Sequence, residues 1–456
     1  MLKSKVAVQV ISSGMLPDDT LMLGESLVKQ CKIPQGQHIL LKFGAFRQYV
    51  KVIPVAKYDG MRMSHGLSRL LGLTGGSAVR VQYKSGSSTL VLGPLIGVLV
   101  SRDYPNMPDK PFGSITMFCR ELVEACTAQG AYVYFFTPKQ IGSNLNAVDG
   151  WIYSDGWRKV TVPVPDVINN RLTTRKLENS PSVQHFMKEV KQKHQTTVFN
   201  EKFLDKTEVF DALKKDESLA RYLPESHLLR NYDMLKSMCS RYSSVFLKPA
   251  RGSLGKGIIR INRTDDGSFL ALHATAAGSR KQQYPSLMKL FTAISAKMKT
   301  ARYQIQQGLQ LIEIQKRPVD FRALVQKNAT GKWTITSIVA RTAGDHHFVS
   351  NLARGGTLST AGEAIARSNL QAGISRKDAS LRLKHAALQI AGGIDAQIPA
   401  HFGELGIDLA MDTSGKVWLL EVNSKPSKND NTPLNDNKIR PSVRMMIQYS
   451  RFLSGF

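Results

Sequence analysis

Asp408, Glu421 and Asn423 have the types and spacing to do chemistry. They lie in Gly403-Glu-Leu-Gly-Ile-Asp-Leu-Ala-Met-Asp-Thr-Ser-Gly-Lys-Val-Trp-Leu-Leu-Glu-Val-Asn-Ser-Lys-Pro426, which reads as two apolar strands around a Thr413-Ser414-Gly415 turn. Positions 421 and 423 are two apart, so they project from one face of their strand. Folding at the turn brings Asp408 roughly opposite Glu421. Two carboxylates and an amide carbonyl are hard oxygen donors, the set that Mg²⁺ takes while sharing its shell with water and substrate phosphates. A solvent-facing polar edge on an ordinary hairpin would show the same residues. The apolar flanks Leu405, Ile407, Leu409, Leu419, Leu420 and Val422 argue against that, because unpaired carboxylates in a buried hairpin are costly.

A second segment supplies what such a metal needs. Val245-Phe-Leu-Lys-Pro-Ala-Arg-Gly-Ser-Leu-Gly-Lys-Gly-Ile-Ile-Arg-Ile261 reads as strand, glycine-rich loop, strand. Gly252, Gly255 and Gly257, with Ser253 between them, allow successive N–H groups to wrap a phosphate. Lys248, Arg251 and Lys256 add cations suited to a triphosphate. The loop is not a Walker A loop, because Lys256 is followed by Gly257 rather than Ser or Thr. It leads into a β-type run rather than a helix, which removes the dinucleotide-binding option. A glycine-rich hairpin turn with incidental lysines is the plain alternative for this segment taken alone.

The elements that must position these groups divide into three regions. Residues 1–100 alternate as strands punctuated by Gly and Pro and read as a mostly-β domain, with a helix around Met63–Leu71. Residues 101–198 alternate helix (Ser114–Gln129) and strand (Ala131–Phe136, Ala147–Tyr153), with Val162–Arg171 as the last strand and exit. Residues 199–456 hold the glycine-rich loop in 199–309 and the Asp408 hairpin in 310–456. Helices over Ala361–Gln371 and Asp378–Ala391 read as packing elements, the second through Leu381, His385, Leu388 and Ala391. His346-His347 reads as a hairpin tip rather than a metal pair.

Together the two segments resemble the ATP-grasp superfamily. FLKPARGSLGKGI, VDFRALVQKN, NLARGG and WLLEVNSKPS are similar to the YheC/YheD-type family, described as endospore coat-associated, over roughly residues 100–456. The resemblance implies an α/β (α+β) fold, with two α+β subdomains sandwiching ATP behind an α/β pre-grasp domain. It implies an ATP-dependent, Mg²⁺-assisted carboxylate–amine ligase working through an acylphosphate and releasing ADP. Lys206 and Lys248 become the two ATP-contacting lysines. Tyr303–Leu309 becomes the interdomain strand that meets adenine, with Gln307 and Leu309 in contact and Glu313 in reach of ribose. Asn351, Gly355 and Gly356 fall on the substrate side. One departure stands out. The D-alanine–D-alanine ligase branch has an Arg two residues before the first metal Asp, and here that position is Gly406. The cation for the acyl-phosphate step then comes from Arg322 or Arg341, with Arg341 ahead; a structural ion pair with Asp320 is the alternative for either.

Composition excludes more than it identifies. No run of eighteen apolar residues exists, so no membrane span is expected. Met1-Leu-Lys-Ser-Lys lacks an apolar signal segment. Cys31, Cys119, Cys126 and Cys239 lack zinc or disulfide-framework spacing, and a reducing cytoplasm fits them. The net charge of +27 would attract nucleic acid or acidic surfaces, but no nucleic-acid module accompanies it. The partners implied are a carboxylate and an amine substrate, together with spore-coat proteins. A non-catalytic ATP-binding structural protein of the spore coat is the competing reading.

Overall fold

The structure, a computed structural model, describes residues 4–249, 257–275, 278–345, 355–427 and 439–456. Alternating apolar residues in the first hundred positions close into a barrel of seven strands. In order around it these are Ser4–Ile11, Met61–Ser64, Thr20–Gly24, Phe46–Val55, His38–Phe43, Thr89–Gly93 and Ala78–Lys84. Val6 and Val8, Leu21 and Leu23, and Val50 and Val52 are buried two by two, the period expected of strands with one face inward. The helix expected around Met63–Leu71 begins only at His65. Ser64 Oγ accepts the Leu67 N–H at 2.9 Å, and this cap converts the end of the Met61–Ser64 strand into a helix start.

A six-stranded sheet follows, in the order Trp157–Pro163, Ala147–Tyr153, Tyr132–Phe136, Leu95–Leu99, Val167–Asn170 and Thr197–Phe199. Here the structure corrects the expectation that Val162–Arg171 supplies the last strand. Thr197–Phe199 pairs in parallel beyond Val167–Asn170 and closes the sheet. At three residues it is too short to show an alternation.

Two further six-stranded sheets carry the candidate site. One is built from residues 226–307 in the order Ser226–Leu228, Tyr303–Gln307, Ser244–Pro249, Ile259–Arg263, Phe269–Thr275 and Gly278–Tyr284. The other runs Thr357–Thr360, Trp333–Thr342, Arg317–Lys327, Glu404–Met411 and Val417–Asn423, with Glu313–Ile314 pairing onto Arg317–Lys327. The helix Arg376–Gln397 buries Leu383, Ala386, Ala387, Ile390 and Ile394 in the core of that sheet. Of the packing stripe expected through Leu381, His385, Leu388 and Ala391, Ala391 is buried and Leu388 packs against this core, while Leu381 and His385 face solvent. The last helix, Pro441–Ser454, lays Val443, Met446 and Ile447 into the core around Ile96 and Val98 of the second sheet and Leu122 of the helix Thr116–Gln129. Cys119 and Cys126 are buried thiols in the same core, and burial pushes both thiol pKa values up. No helix among the described residues is long and apolar enough to cross a membrane.

Candidate nucleotide and metal site

The hairpin Glu404–Met411/Val417–Asn423 pairs antiparallel, with Asp408 opposite Glu421 and Gly406 opposite Asn423. Val422 is buried while Glu421 and Asn423 are half-buried, so the two polar side chains share the more open face. Register fixes their neighbours. Across the Arg317–Lys327 strand, Arg322 stands opposite Asp408; one strand further, Arg341 stands opposite Asp320.

Asp408 is 7% exposed, and its charge is fully met. Arg322 donates to both carboxylate oxygens, through Nε to Oδ1 and through Nη2 to Oδ2 at 2.9 Å. Arg341 Nη2 lies 3.2 Å from the same Oδ2, and its Nε donates to Asp320 Oδ1 at 2.5 Å. Burial alone would raise the Asp408 pKa, but Arg322 and Arg341 outweigh it and hold the carboxyl below its ordinary value. Burial would likewise lower the Arg341 pKa, and Asp408 and Asp320 overturn it. Arg341 therefore has the ion pair with Asp320 that a structural role requires. Arg322, whose side chain is 27% exposed against 14% for Arg341, is the more open of the two cations.

Gly406 lies beside Arg322. A Cβ at Gly406 would stand 3.4 Å from Arg322 Nη1 and 3.0 Å from the Pro426 Cβ. Such a Cβ would be tight against Pro426 and in ordinary contact with Arg322, and the cation beside Asp408 arrives from the neighbouring strand rather than from its own.

The second carboxylate pairs with one lysine and acts at longer range on another. Lys206 begins the helix Lys206–Lys214, which Asp205 caps by accepting the Thr207 N–H at 3.0 Å. Its ammonium lies 3.2 Å from Glu421 Oε2. Lys248 comes from the other sheet, near the end of Ser244–Pro249, and donates to Gln306 Oε1. Burial, and then the neighbouring charge of Lys206, lower the Lys248 pKa to about 7 against the opposing pull of Glu421.

The remaining candidates are more scattered. Gln307 is tied to the chain opposite it: its N–H donates to Glu225 O at 2.9 Å, and its Oε1 accepts the Glu225 N–H at 3.2 Å. Leu309 is half-buried in the link that follows. Glu313 lies near Arg260, whose pKa burial lowers and Glu313 raises. Gly257 follows the end of Ser244–Pro249, and a Cβ there would stand 3.2 Å from Pro249 Cγ. Gly355 and Gly356 precede the edge strand Thr357–Thr360, which pairs Leu358 with Arg341. Arg251, Gly252, Ser253, Gly255, Lys256, Asn351 and the His346-His347 pair lie outside the described residues.

The donors fit a hard divalent cation by chemistry: two carboxylates and an amide oxygen on adjacent strands. Charge qualifies the fit. Asp320, Asp408 and Glu421 face Arg322, Arg341, Lys206 and Lys248, so three anions are already balanced by nearby cations. The cluster suits a cation that arrives with a polyanion better than one arriving alone.

Sequence reasoning missed the groups that hold the chain just past Asn423. Lys425 pairs with Glu178, a residue 247 positions away, and both side chains are almost wholly buried. Arg171 pairs with Glu404 and donates to Pro426 O at 2.6 Å. Ser424 Oγ donates to Lys202 O at 2.8 Å and accepts the Leu204 N–H at 3.2 Å. The available signal was the polar Asn169-Asn170-Arg171 at the end of an apolar strand, which marks where a buried strand meets another unit.

A sequence profile described as YheC/D like ATP-grasp matches residues 195–453. The endospore coat-associated protein YheD of Bacillus subtilis (strain 168) is 31% identical over 368 residues, covering 80% of this chain and 80% of that protein. YheC of the same organism, also described as endospore coat-associated, is 24% identical over 318 residues, covering 68% of this chain and 85% of its own length. Among solved structures, the VanG D-Ala:D-Ser ligase of Enterococcus faecalis superposes with a TM-score of 0.47 at 11% identity, covering 79% of this chain and 99% of that one.

Proposed function

This chain belongs to the YheC/D-like ATP-grasp family, and from that premise we propose that it is an ADP-forming ligase joining a carboxylate to an amine. The observation that carries the reading is the pairing of Lys206 with Glu421, within electrostatic range of Lys248 from a separate sheet, beside the Asp408–Arg322–Arg341 cluster. Cations drawn from two units around one open carboxylate suit a polyphosphate lying between those units.

In this reading Lys248 and Lys206 bind the phosphate chain of ATP. Asp408, Glu421 and Asn423 hold Mg²⁺, which when bound neutralises charge on the phosphate oxygens. A substrate carboxylate oxygen attacks the γ-phosphorus, the bond to the β-phosphate oxygen breaks, and ADP leaves. An amine nitrogen then attacks the acyl carbon, phosphate leaves with the acyl oxygen bond broken, and the nitrogen loses a proton to solvent. Arg322, the more open guanidinium, faces the negative charge that develops in both steps. Arg341 acts as a positioning residue, holding Asp408 and Asp320 in register. The spore-coat setting of YheD and YheC enters here as the proposed context, with coat proteins as the proposed source of the acid or amine.

The test is ADP release over pools of amino acids and short peptides, with mass spectrometry for a product lighter by one water than its two parts. ADP with such a product supports ligation. ADP and a phosphorylated acid without condensation would make the chain a kinase, and ATP binding without turnover on every pool favours the non-catalytic coat protein.

A further inference from the structure

A cavity of about 860 Å³ is lined by residues of the barrel, its helix His65–Leu71 and the second sheet, and by none of the carboxylate cluster. Its wall is asymmetric in chemistry. Among the described residues Arg47, Arg69 and Arg158 line it, and no Asp or Glu does. Arg47 donates to Gly44 O and Phe46 O, and the half-buried Asp166 acts on it electrostatically. Arg69 and Arg158 make no ion pair among the described residues. Arg158 acts electrostatically on the Tyr132 hydroxyl, which donates to Gly72 O at 2.7 Å beside the cavity.

Apolar surface lies between these charges. Leu70 lines the cavity and is 54% exposed, an unusual exposure for a leucine facing a concave wall. Val160 lines it from the Trp157–Pro163 strand, which is the edge of its sheet and pairs only with Ala147–Tyr153. An edge strand offers main-chain donors and acceptors to an extended chain. Guanidinium forks match carboxylates geometrically. The volume falls within the range of about 300–1,000 Å³ typical of sites that enclose a ligand.

We propose that this cleft binds an extended acidic peptide segment, its carboxylates on Arg69 and Arg158 and its apolar side chains on Leu70 and Val160. The ligase reading is not required for it. The chain would then hold a carboxylate-rich protein at a place that shares no residue with the candidate reaction site, and the barrel would be a docking module.

The test uses the full chain and fluorescence anisotropy at physiological salt. The probe is a labelled peptide of about ten alternating Glu and Leu residues, long enough to span such a site in extended form. Because the chain carries a net charge of +27, the control must separate site from field. Arg69→Glu/Arg158→Glu is compared with Lys377→Glu/Lys384→Glu, which changes net charge equally on the exposed face of the Arg376–Gln397 helix. The expected result is roughly a tenfold or greater loss of affinity in the arginine variant and under about twofold in the lysine variant, tenfold being about 1.4 kcal/mol. A Gln/Leu peptide should bind no better than the arginine variant binds the acidic one. Equal losses in both variants, absence of binding, or tighter arginine-dependent binding of a single-stranded oligonucleotide than of the peptide would each overturn the proposal. Unchanged thermal unfolding of both variants shows that the comparison reads binding rather than folding.

Discussion

Lys248 reports on the candidate site through a proton. Burial and the ammonium of Lys206 lower its pKa from 10.5 to about 7. A triphosphate placed against it reverses that balance and restores the charged form. A group of pKa about 7 is about half protonated at pH 7 and about one-tenth protonated at pH 8. ATP binding therefore takes up about 0.5 proton at pH 7 and about 0.9 at pH 8. Titration calorimetry with Mg²⁺ and ATP, repeated in buffers of different ionisation heat, measures this number directly. Lys248→Arg keeps its charge throughout the range, so uptake at pH 8 should fall toward zero while binding persists. Uptake below about 0.2 proton at pH 8 in the wild type, or equal uptake in Lys248→Arg, would refute the argument. The sign for folding is the reverse of the usual lysine case. The folded pKa lies below the unfolded one, so the folded state favours the neutral amine, and this group's contribution to stability rises as pH climbs from about 7 to 10.5.

Further predictions concern stability as well as binding. Asp408→Asn leaves two guanidiniums without their shared carboxylate and should cost about 3 kcal/mol in urea unfolding. Glu421→Ala, at a pair whose side chains are 22% and 32% exposed, should cost under about 1 kcal/mol while weakening Mg²⁺-dependent ATP binding. Lys425→Met strands the buried Glu178 and should cost about 3 kcal/mol in urea unfolding; because the folded Lys425 pKa of about 8 lies below its ordinary 10.5, the loss should be smallest below about pH 8 and grow as pH rises from there toward 10.5. Gly406→Leu adds bulk against Pro426 and Arg322 and should lower ATP turnover while Arg341 remains paired to Asp320; crystallography of the variant would show whether Arg322 has left Asp408.

The hairpin was legible because its signal is local. An apolar run with a turn at Gly415 fixes the pairing of Leu409 with Leu419, but it is a bulge between Asp408 and Leu409 that shifts the register by one and sets Asp408 against Glu421, and no local pattern announced that bulge. The barrel strands were legible for the same reason. Arg322 and Arg341 were visible as charges within apolar strands, but which carboxylate each would meet depends on the order of strands in the sheet, which alternation does not encode. The ion pair of Lys425 with Glu178 and the docking of Pro441–Ser454 beneath the second sheet join segments far apart in the chain. No local pattern records such contacts. Leu381 and His385 misled because Leu381, His385 and Leu388 also recur at helical spacing, on the side of the helix opposite the buried stripe of Leu383, Ala387, Ile390 and Ile394.

The sheet built from residues 226–307 is entered at Glu225 and left at Gly308, and these two crossings lie side by side. Glu225 and Gln307 bond each other twice, and Gly308 N–H donates to Ser244 O at 2.8 Å, where a Cβ would stand only 2.5 Å from that oxygen. Two adjacent strands of chain, cross-bonded and without side-chain bulk at one of them, make an axle. Lys248 lies on the sheet beyond these crossings, while Lys206 and Glu421 lie on elements before and after it. The distance between the two lysines is then an angle read out as a charge repulsion, and whatever lies between them sets the angle.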